Sequence, residues 1–391
     1  MGKSVLEPVH NSQLTAARRC LRQYRYAYLE RLEPLRPRLP LTRGIWIHYC
    51  LQAESLRSGL EKGSLLEVPT SFEIEDVGTV QIDLGVNEDD DPQLTVLDGD
   101  GVEISHYDLS WEGMLELLTA HVWMRLFPEE QEDYYEAGMY LPEAVRRILR
   151  GYHYHWRKQL DGEEPLLVEA SWQRTHEESG FVFEGRIDLL VRNERGLVVL
   201  RDWKSTSRAP SGSWKLRESQ LHIYPWGIAP KLQALGIDRI DKIEFDWILT
   251  KPPTKPQQNK DGSLSKRQID TDAITYYEAL KEYGIEITAE HKRKIKELLK
   301  QDKFLFRDDA PRSKKVTDQI LDEAVKTSWI IQQIHDRPEL GEVRSARQSC
   351  EWDCDFTDLC LGELYGQDTS PIRKKSFRVN PTPKARETDD E

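Results

Sequence analysis

No run of apolar residues in this chain approaches the roughly 20 that a membrane-spanning helix requires, which excludes a helical membrane protein. The first residues carry Lys3 and then Glu7 without an apolar segment, so a secretory signal is not expected. No G-x-x-x-x-G-K-S/T loop occurs, and the chain is therefore not its own ATP-driven motor. No internal repeat stands out. Cysteine is scarce, with five in 391 residues; without an export signal, these point to a reducing cytoplasm where thiols bind metal or stay free. Positive charge is also short, with 55 Lys and Arg against 68 Asp and Glu, a net charge of -13. Nucleic-acid affinity comes mostly from neutralising phosphates, so this balance argues against generic DNA binding.

The charge is unevenly placed. Acid gathers in Glu88-Asp89-Asp90-Asp91 and in Glu129 to Glu136, which read as solvated loops. Base gathers in a first helix (Arg18, Arg19, Arg22, Arg25) and again at Arg201, Lys204, Arg208, Lys215 and Arg217. A groove lined by the second set could guide a nucleic-acid strand; a solvated helix face accounts for the first set equally well.

The segment Phe181 to Ser205, FVFEGRIDLLVRNERGLVVLRDWKS, carries most of the information. Side chains two apart on a strand share a face, so Phe181, Phe183, Ile187, Leu189 and Val191 are expected on one side and Glu184, Arg186 and Asp188 on the other. Asp202 and Lys204 share a side of the next strand. Glu194-Arg195-Gly196 reads as a three-residue hairpin loop ending on a glycine of positive φ. Pairing Asn193 with Leu197 across it brings Asp188 opposite Asp202. Two opposed carboxylates destabilise a sheet, and a divalent cation taking hard oxygen ligands removes the conflict. Lys204 then has positive charge to place on the attacking water or the scissile phosphate. An ion-pair lattice of Arg186, Asp188, Asp202 and Lys204 on an exposed sheet face is the alternative.

Gly185-Arg186-Ile187-Asp188 followed by a hairpin and Asp202-Trp203-Lys204 resembles the PD-(D/E)XK nuclease superfamily in its RecB-like branch. Gln220-Leu221-His222-Ile223-Tyr224 resembles the branch's Q-x-x-x-Y motif, and Gly44-Ile45-Trp46-Ile47-His48 its G-x-x-x-H helix. With the cysteines, the set is similar to the iron-sulphur nucleases related to the CRISPR adaptation nuclease and to AddB-type nuclease domains. The motifs cover about a third of the chain in the family order; residues 53 to 165 and 236 to 344 carry none. The resemblance implies Mg²⁺ or Mn²⁺ held by His48, Asp188, Asp202 and the Trp203 carbonyl. It implies that Gln220 and Tyr224 position Lys204, whose pKa is expected to be lowered by burial and the cation. Glu169 and Glu184 are weaker candidates, Glu184 sharing the acidic face by strand parity, and an ordinary exposed acid is the alternative for each.

Cys350-x3-Cys354-x5-Cys360 stands near one end and Cys20 near the other. Four thiolates can hold a [4Fe-4S] cluster or tetrahedral Zn²⁺, and the resemblance favours the cluster. The branch's pattern is C-x2-C-x5-C, and the three residues between Cys350 and Cys354 depart from it. Cys50 reads as a buried thiol. A cluster on the four cysteines would clasp the two ends of the chain together.

The expected fold is α/β: a PD-(D/E)XK restriction-endonuclease-like core, a central mixed sheet flanked by helices, with a helical insertion and an iron-sulphur clasp. The expected organisation is 1–43, an N-terminal helix from Gln13 capped by Ser12; 44–165, a helical region entered through a helix capped by Thr42; 166–344, the nuclease core; 345–365, the cluster segment; and 366–391, a disordered tail. Residues 60 to 107 read as loop-rich with short strands such as Thr79 to Leu84, and helices are expected over 213–235, 272–283, 289–301 and 315–336. Together these features predict a metal-dependent DNA exonuclease acting on single strands or duplex ends in recombination, repair or genome processing, with a helicase or recombination protein as a possible partner and no membrane. The alternative is a non-catalytic DNA-binding or assembly subunit of the same fold.

Overall fold

The computed structural model describes residues 8–36, 38–74, 80–87, 91–98, 100–208, 218–265, 267, 269–301, 303–310 and 313–380. The chain opens with β1 (Val9–His10), α1 (Asn11–Arg19), α2 (Leu21–Tyr24), a π-helical turn over Arg25–Leu29, β2 (Leu32–Pro34) and α3 (Leu39–Lys62). A meander follows, β3 (Ser71–Ile74), β4 (Val80–Val86), β5 (Pro92–Leu97) and β6 (Glu103–Asp108), then helices α4 (Trp111–His121), α5 (Trp123–Leu126), α6 (Glu132–Gly138) and α7 (Leu141–Gly162). The middle of the chain supplies β7 (Glu164–Thr175), β8 (Val182–Arg192), β9 (Val198–Thr206), α8 (Gln220–Ala234), β10 (Lys242–Leu249), α9 (Ala273–Glu282), α10 (Ala289–Leu299), β11 (Leu305–Asp309) and α11 (Lys314–Asp336). It closes with α12 (Cys350–Asp353), α13 (Thr357–Leu364), α14 (Ser370–Ser376) and β12 (Phe377–Val379).

The central sheet runs β1-β8-β9-β10-β11, with β7 paired to β8. β7, β8 and β9 are antiparallel, β9 and β10 are parallel across the α8 crossover, and β11 returns antiparallel. The expected hairpin register is present: the Asn193 amide donates to the Leu197 carbonyl, Leu189 pairs with Arg201, and Gly196 sits at φ +75. One core lies under α3, α4, α7 and the β3–β6 meander, holding Trp46, Ile47, Leu189, Val191 and Trp203. The other lies under α1, α8 and α11, holding Leu14, Phe183, Ile187, Leu200 and Phe245. The mixed α/β sheet flanked by helices is the expected fold class.

Strand parity does not hold along all of β8. Phe183 and Ile187 face the α8 side while Leu189 and Val191 face the α3 side, so the alternation slips at Asp188. A matching slip in β7 puts Val168 and Ala170 in opposite cores, around Glu169 at φ +50. Left-handed backbone is rare for a residue with a side chain, and it concentrates at functional sites.

Several local expectations are corrected. The first helix starts at Asn11, with the His10 amide on the Gln13 side chain, and breaks at Cys20, which is extended at φ -166 and ψ 119. Ser12 and Thr42 are therefore inside helices; α3 begins at Leu39 because Pro40 suits a first helical turn, where an N–H has no intrahelical partner. Residues 71 to 108 build an antiparallel sheet, so the region between α3 and β7 is half sheet and half helix. Helix α8 runs through Pro225 and Pro230. Two internal prolines cost about 6 kcal/mol, which burial of Leu221, Ile223, Ile228 and Leu232 at about 1.5–3 kcal/mol each offsets. Part of the expected tail is ordered: α14 leads into β12, which pairs with β2, while residues 381–391 lie outside the described residues.

The N- and C-terminal segments are joined directly. Arg19 pairs with Asp353 at 2.9 Å, Arg22 with Glu363 at 3.2 Å, and Arg38 with Asp355 at 2.7 Å; the Tyr26 hydroxyl donates to Glu363 at 2.7 Å. Tyr26, Leu32, Phe356, Leu359 and Phe377 form a small core there, with Cys354 and Cys360 against it.

Candidate active site

The ladder between β8 and β9 ends at Leu189 and Arg201. Beyond it the strands fork, and the Trp203 amide donates to the Asp188 carboxylate at 2.7 Å instead of to a facing carbonyl. The fork therefore holds an acid that is fixed by backbone.

Two glycines bring the flanking helices close. A Cβ on Gly44 would lie 2.2 Å from the Ser205 hydroxyl oxygen, so α3 crosses the end of β9 at a distance no larger residue permits. This sets His48 with Nδ1 4.0 Å from Asp188 Oδ2 and its ring edge-on to Trp203. On the other side, a Cβ on Gly185 of β8 would lie 2.8 Å from the Trp172 ring and 3.1 Å from the Tyr224 ring, so the approach of α8 to β8 also needs a glycine. Gln220 and Tyr224, one turn apart, then form a relay: Lys204 donates to Gln220 Oε1, and Gln220 Nε2 donates to the Tyr224 hydroxyl at 2.8 Å. Burial pushes the Tyr224 hydroxyl up to about 12.

His48, Glu169 and Asp188 each offer a donor atom within 4.8 Å of the others. Burial, and then the nearby Asp202 and Glu169, raise the Asp188 pKa well above the usual carboxylate range. Burial lowers the His48 pKa, leaving a neutral imidazole able to ligate. Two carboxylates and a neutral imidazole suit a divalent cation, and a cation would relieve the crowding of negative charge.

Asp202 stands differently from expectation. It is buried, with Oδ2 2.7 Å from Lys204 Nζ, and the converging triad takes Glu169 in its place. With no cation in the fork, burial pulls the Lys204 pKa down, but Asp202 and Asp188 outweigh burial and hold it raised. The lysine is an ammonium here, suited to placing charge rather than removing a proton.

The expected nucleic-acid residues divide. Arg22 is engaged by Glu363 and the Glu342 carbonyl, joining the chain ends, and Arg18 donates to Thr327 of α11 at 3.0 Å, packing α1 on the core. Arg208 is exposed just past β9; Lys215 and Arg217 lie outside the described residues. Behind the fork, buried Arg201 binds Glu163 through two hydrogen bonds of 2.6 Å and Glu244 at 3.0 Å, and Arg307 binds Asp246 at 2.7 Å. Only Glu169 joins the site from outside the expected set of ligands, and its shifted backbone hides it from strand-parity reasoning.

The fold and this fork define a metal-dependent nuclease class. The chain belongs to the PD-(D/E)XK nuclease superfamily, whose family model matches residues 107–361. No curated protein matches it. Among solved structures it is similar to one titled "Crystal structure of SSO0001", at 11% identity over 63% of this chain and 78% of that one, with a TM-score of 0.24. No helix among the described residues is long and apolar enough to cross a membrane.

Proposed function

We propose that the protein is a metal-dependent deoxyribonuclease that hydrolyses phosphodiester bonds at DNA ends, in recombination, repair or genome processing. The observation that carries this reading is the convergence of His48, Glu169 and Asp188 beside the Lys204–Gln220–Tyr224 relay. Mg²⁺ or Mn²⁺ would be held by His48, Glu169 and Asp188, with Asp202 and the Trp203 carbonyl as the remaining expected ligands. When bound, such an ion supplies Lewis-acid stabilisation of charge on the phosphate and acidifies water. His48 binds in its neutral form, and the Trp203 amide keeps the Asp188 carboxylate aimed into the fork. Lys204, held charged between Asp202 and Gln220, presents its ammonium to the phosphate oxygen that gains charge. Gln220 fixes the lysine and Tyr224 fixes the glutamine.

Cys20, Cys350, Cys354 and Cys360 are proposed to hold a structural [4Fe-4S] cluster. What supports this reading is that the segments carrying these cysteines meet. The Cys20 thiol accepts from the Ser345 amide at 3.5 Å, its neighbour Arg19 reaches Asp353, and Thr357 donates to the Cys354 carbonyl at 3.0 Å. Cys20 sits where α1 and α2 break, which frees its side chain from helix packing.

Digestion of 5′- and 3′-labelled single- and double-stranded DNA by anaerobically purified protein tests the reading beside Lys204→Ala. Cutting that needs Mg²⁺ or Mn²⁺ and disappears in the variant is expected, and the labels give polarity. Intact DNA with a folded, metal-loaded wild type would overturn it.

A further inference from the structure

We infer that Arg186 is a phosphate-binding residue held in reserve by Glu169, and that a divalent cation and Arg186 are alternative partners of that one carboxylate. The inference rests on the nuclease reading and adds where the strand beside the cleaved bond is held. Arg186 Nε lies 2.6 Å from Glu169 Oε2, and Glu169 is its ion-pair partner among the described residues. The same carboxylate belongs to the triad with His48 and Asp188. A carboxylate oxygen at full ion-pair contact with a guanidinium is poorly available to a cation, because the guanidinium already satisfies its charge.

Access supports the assignment. Helix α3 runs from Ser205, where Gly44 touches β9, to the start of β7, where Ser64 donates to the Pro165 carbonyl at 2.7 Å. It leaves the far half of the β7–β8 face open, with Ser171 and Gln173 exposed and the Arg186 side chain 26% exposed. Arg186 pairs with Ser171 across the ladder and is two residues from Asp188 on the same strand. The other acid on this face, Glu184, is buried and matched by His10 at 2.7 Å. A strand crossing the shelf thus meets the Arg186 guanidinium once Glu169 has turned to the metal.

Two measurements without turnover test this. In Mn²⁺ titrations followed by electron paramagnetic resonance with no DNA, Arg186→Gln is expected to bind Mn²⁺ several-fold tighter than wild type, since Glu169 loses its competitor. In EDTA, by fluorescence anisotropy, Glu169→Gln is expected to bind single-stranded DNA about tenfold tighter than wild type, the worth of one charge-assisted contact. That gain is expected to vanish in the Glu169→Gln/Arg186→Gln double variant. A gain that persists in the double variant reflects general charge and overturns the inference, as does unchanged or weaker Mn²⁺ binding by Arg186→Gln. Arg186→Met, which also removes the charge and keeps the length of the stem, replaces Arg186→Gln if the latter does not fold. Failure of wild type to cut DNA would instead remove the nuclease reading, with the Mn²⁺ arm still deciding whether Glu169 is shared.

Discussion

The Trp203 amide donates its hydrogen bond to the Asp188 carboxylate at 2.7 Å, where the next rung of the β8–β9 ladder would otherwise fall. That substitution fixes an acid in a buried fork beside Asp202 and Glu169, whose charges raise its pKa after burial has done so. An acid with a raised folded pKa costs stability as pH rises from the ordinary carboxylate range toward that pKa, and costs most above it. Asp188→Asn keeps an acceptor for the amide and removes the charge. Metal-free protein carrying it is expected to melt higher, by on the order of 1 kcal/mol, while losing cutting. A lower melting temperature in EDTA would contradict the crowded-acid account.

Gly44 of α3 lies directly against Ser205 at the end of β9. Gly44→Ala is expected to cost about 1–3 kcal/mol through overpacking and to displace His48. Since the built Cβ lies 2.9 Å from Ser205 Cβ as well, Ser205→Gly should recover most of the loss in the double variant. Equal melting temperatures for wild type and Gly44→Ala would show that the helix has room.

The ion network under β9 and β10 centres on Arg201, which is buried with Glu163 and Glu244. Arg201→Met leaves Glu163 and Glu244 without their buried partner, and unfolding in urea is expected to lose about 3–5 kcal/mol. A loss below about 1 kcal/mol would mean that water reaches these acids.

Burial pushes the His153 pKa down to about 4, against a partial rise from Glu54. The unfolded chain binds this proton near the ordinary value of about 6.5, so stability is complete above that pH and falls as pH drops toward 4. Between pH 7 and 5 this residue removes about 2 kcal/mol. His153→Phe, which retains stacking on Trp111, should flatten that part of the profile; an unchanged slope would place the titration elsewhere.

Local sequence made the hairpin legible. Asn193, Gly196 and Leu197 set the register, and the register delivered the Asp188–Trp203–Lys204 neighbourhood. Glu169 was visible only as a nearby acid, because its left-handed backbone breaks the alternation that strand reasoning relies on. Arg22 read as a DNA contact because its partner, Glu363, lies 341 positions away. Of the β3–β6 meander, the strand read at Thr79 to Leu84 overlaps β4, while the pairing of its neighbours was hidden by short strands whose exposed faces give little periodic signal. The ordered end of the tail depends on β2, which sequence adjacency does not reveal.

The most direct test of the account is a Mn²⁺ titration of metal-free protein in which binding, by electron paramagnetic resonance, and release of labelled nucleotides from DNA are followed together. Both are expected to rise over the same Mn²⁺ range in wild type, both to fail in Asp188→Asn, and binding alone to survive in Lys204→Ala. DNA cutting that proceeds in EDTA, or that survives Asp188→Asn, would contradict a metal-dependent nuclease centred on this fork.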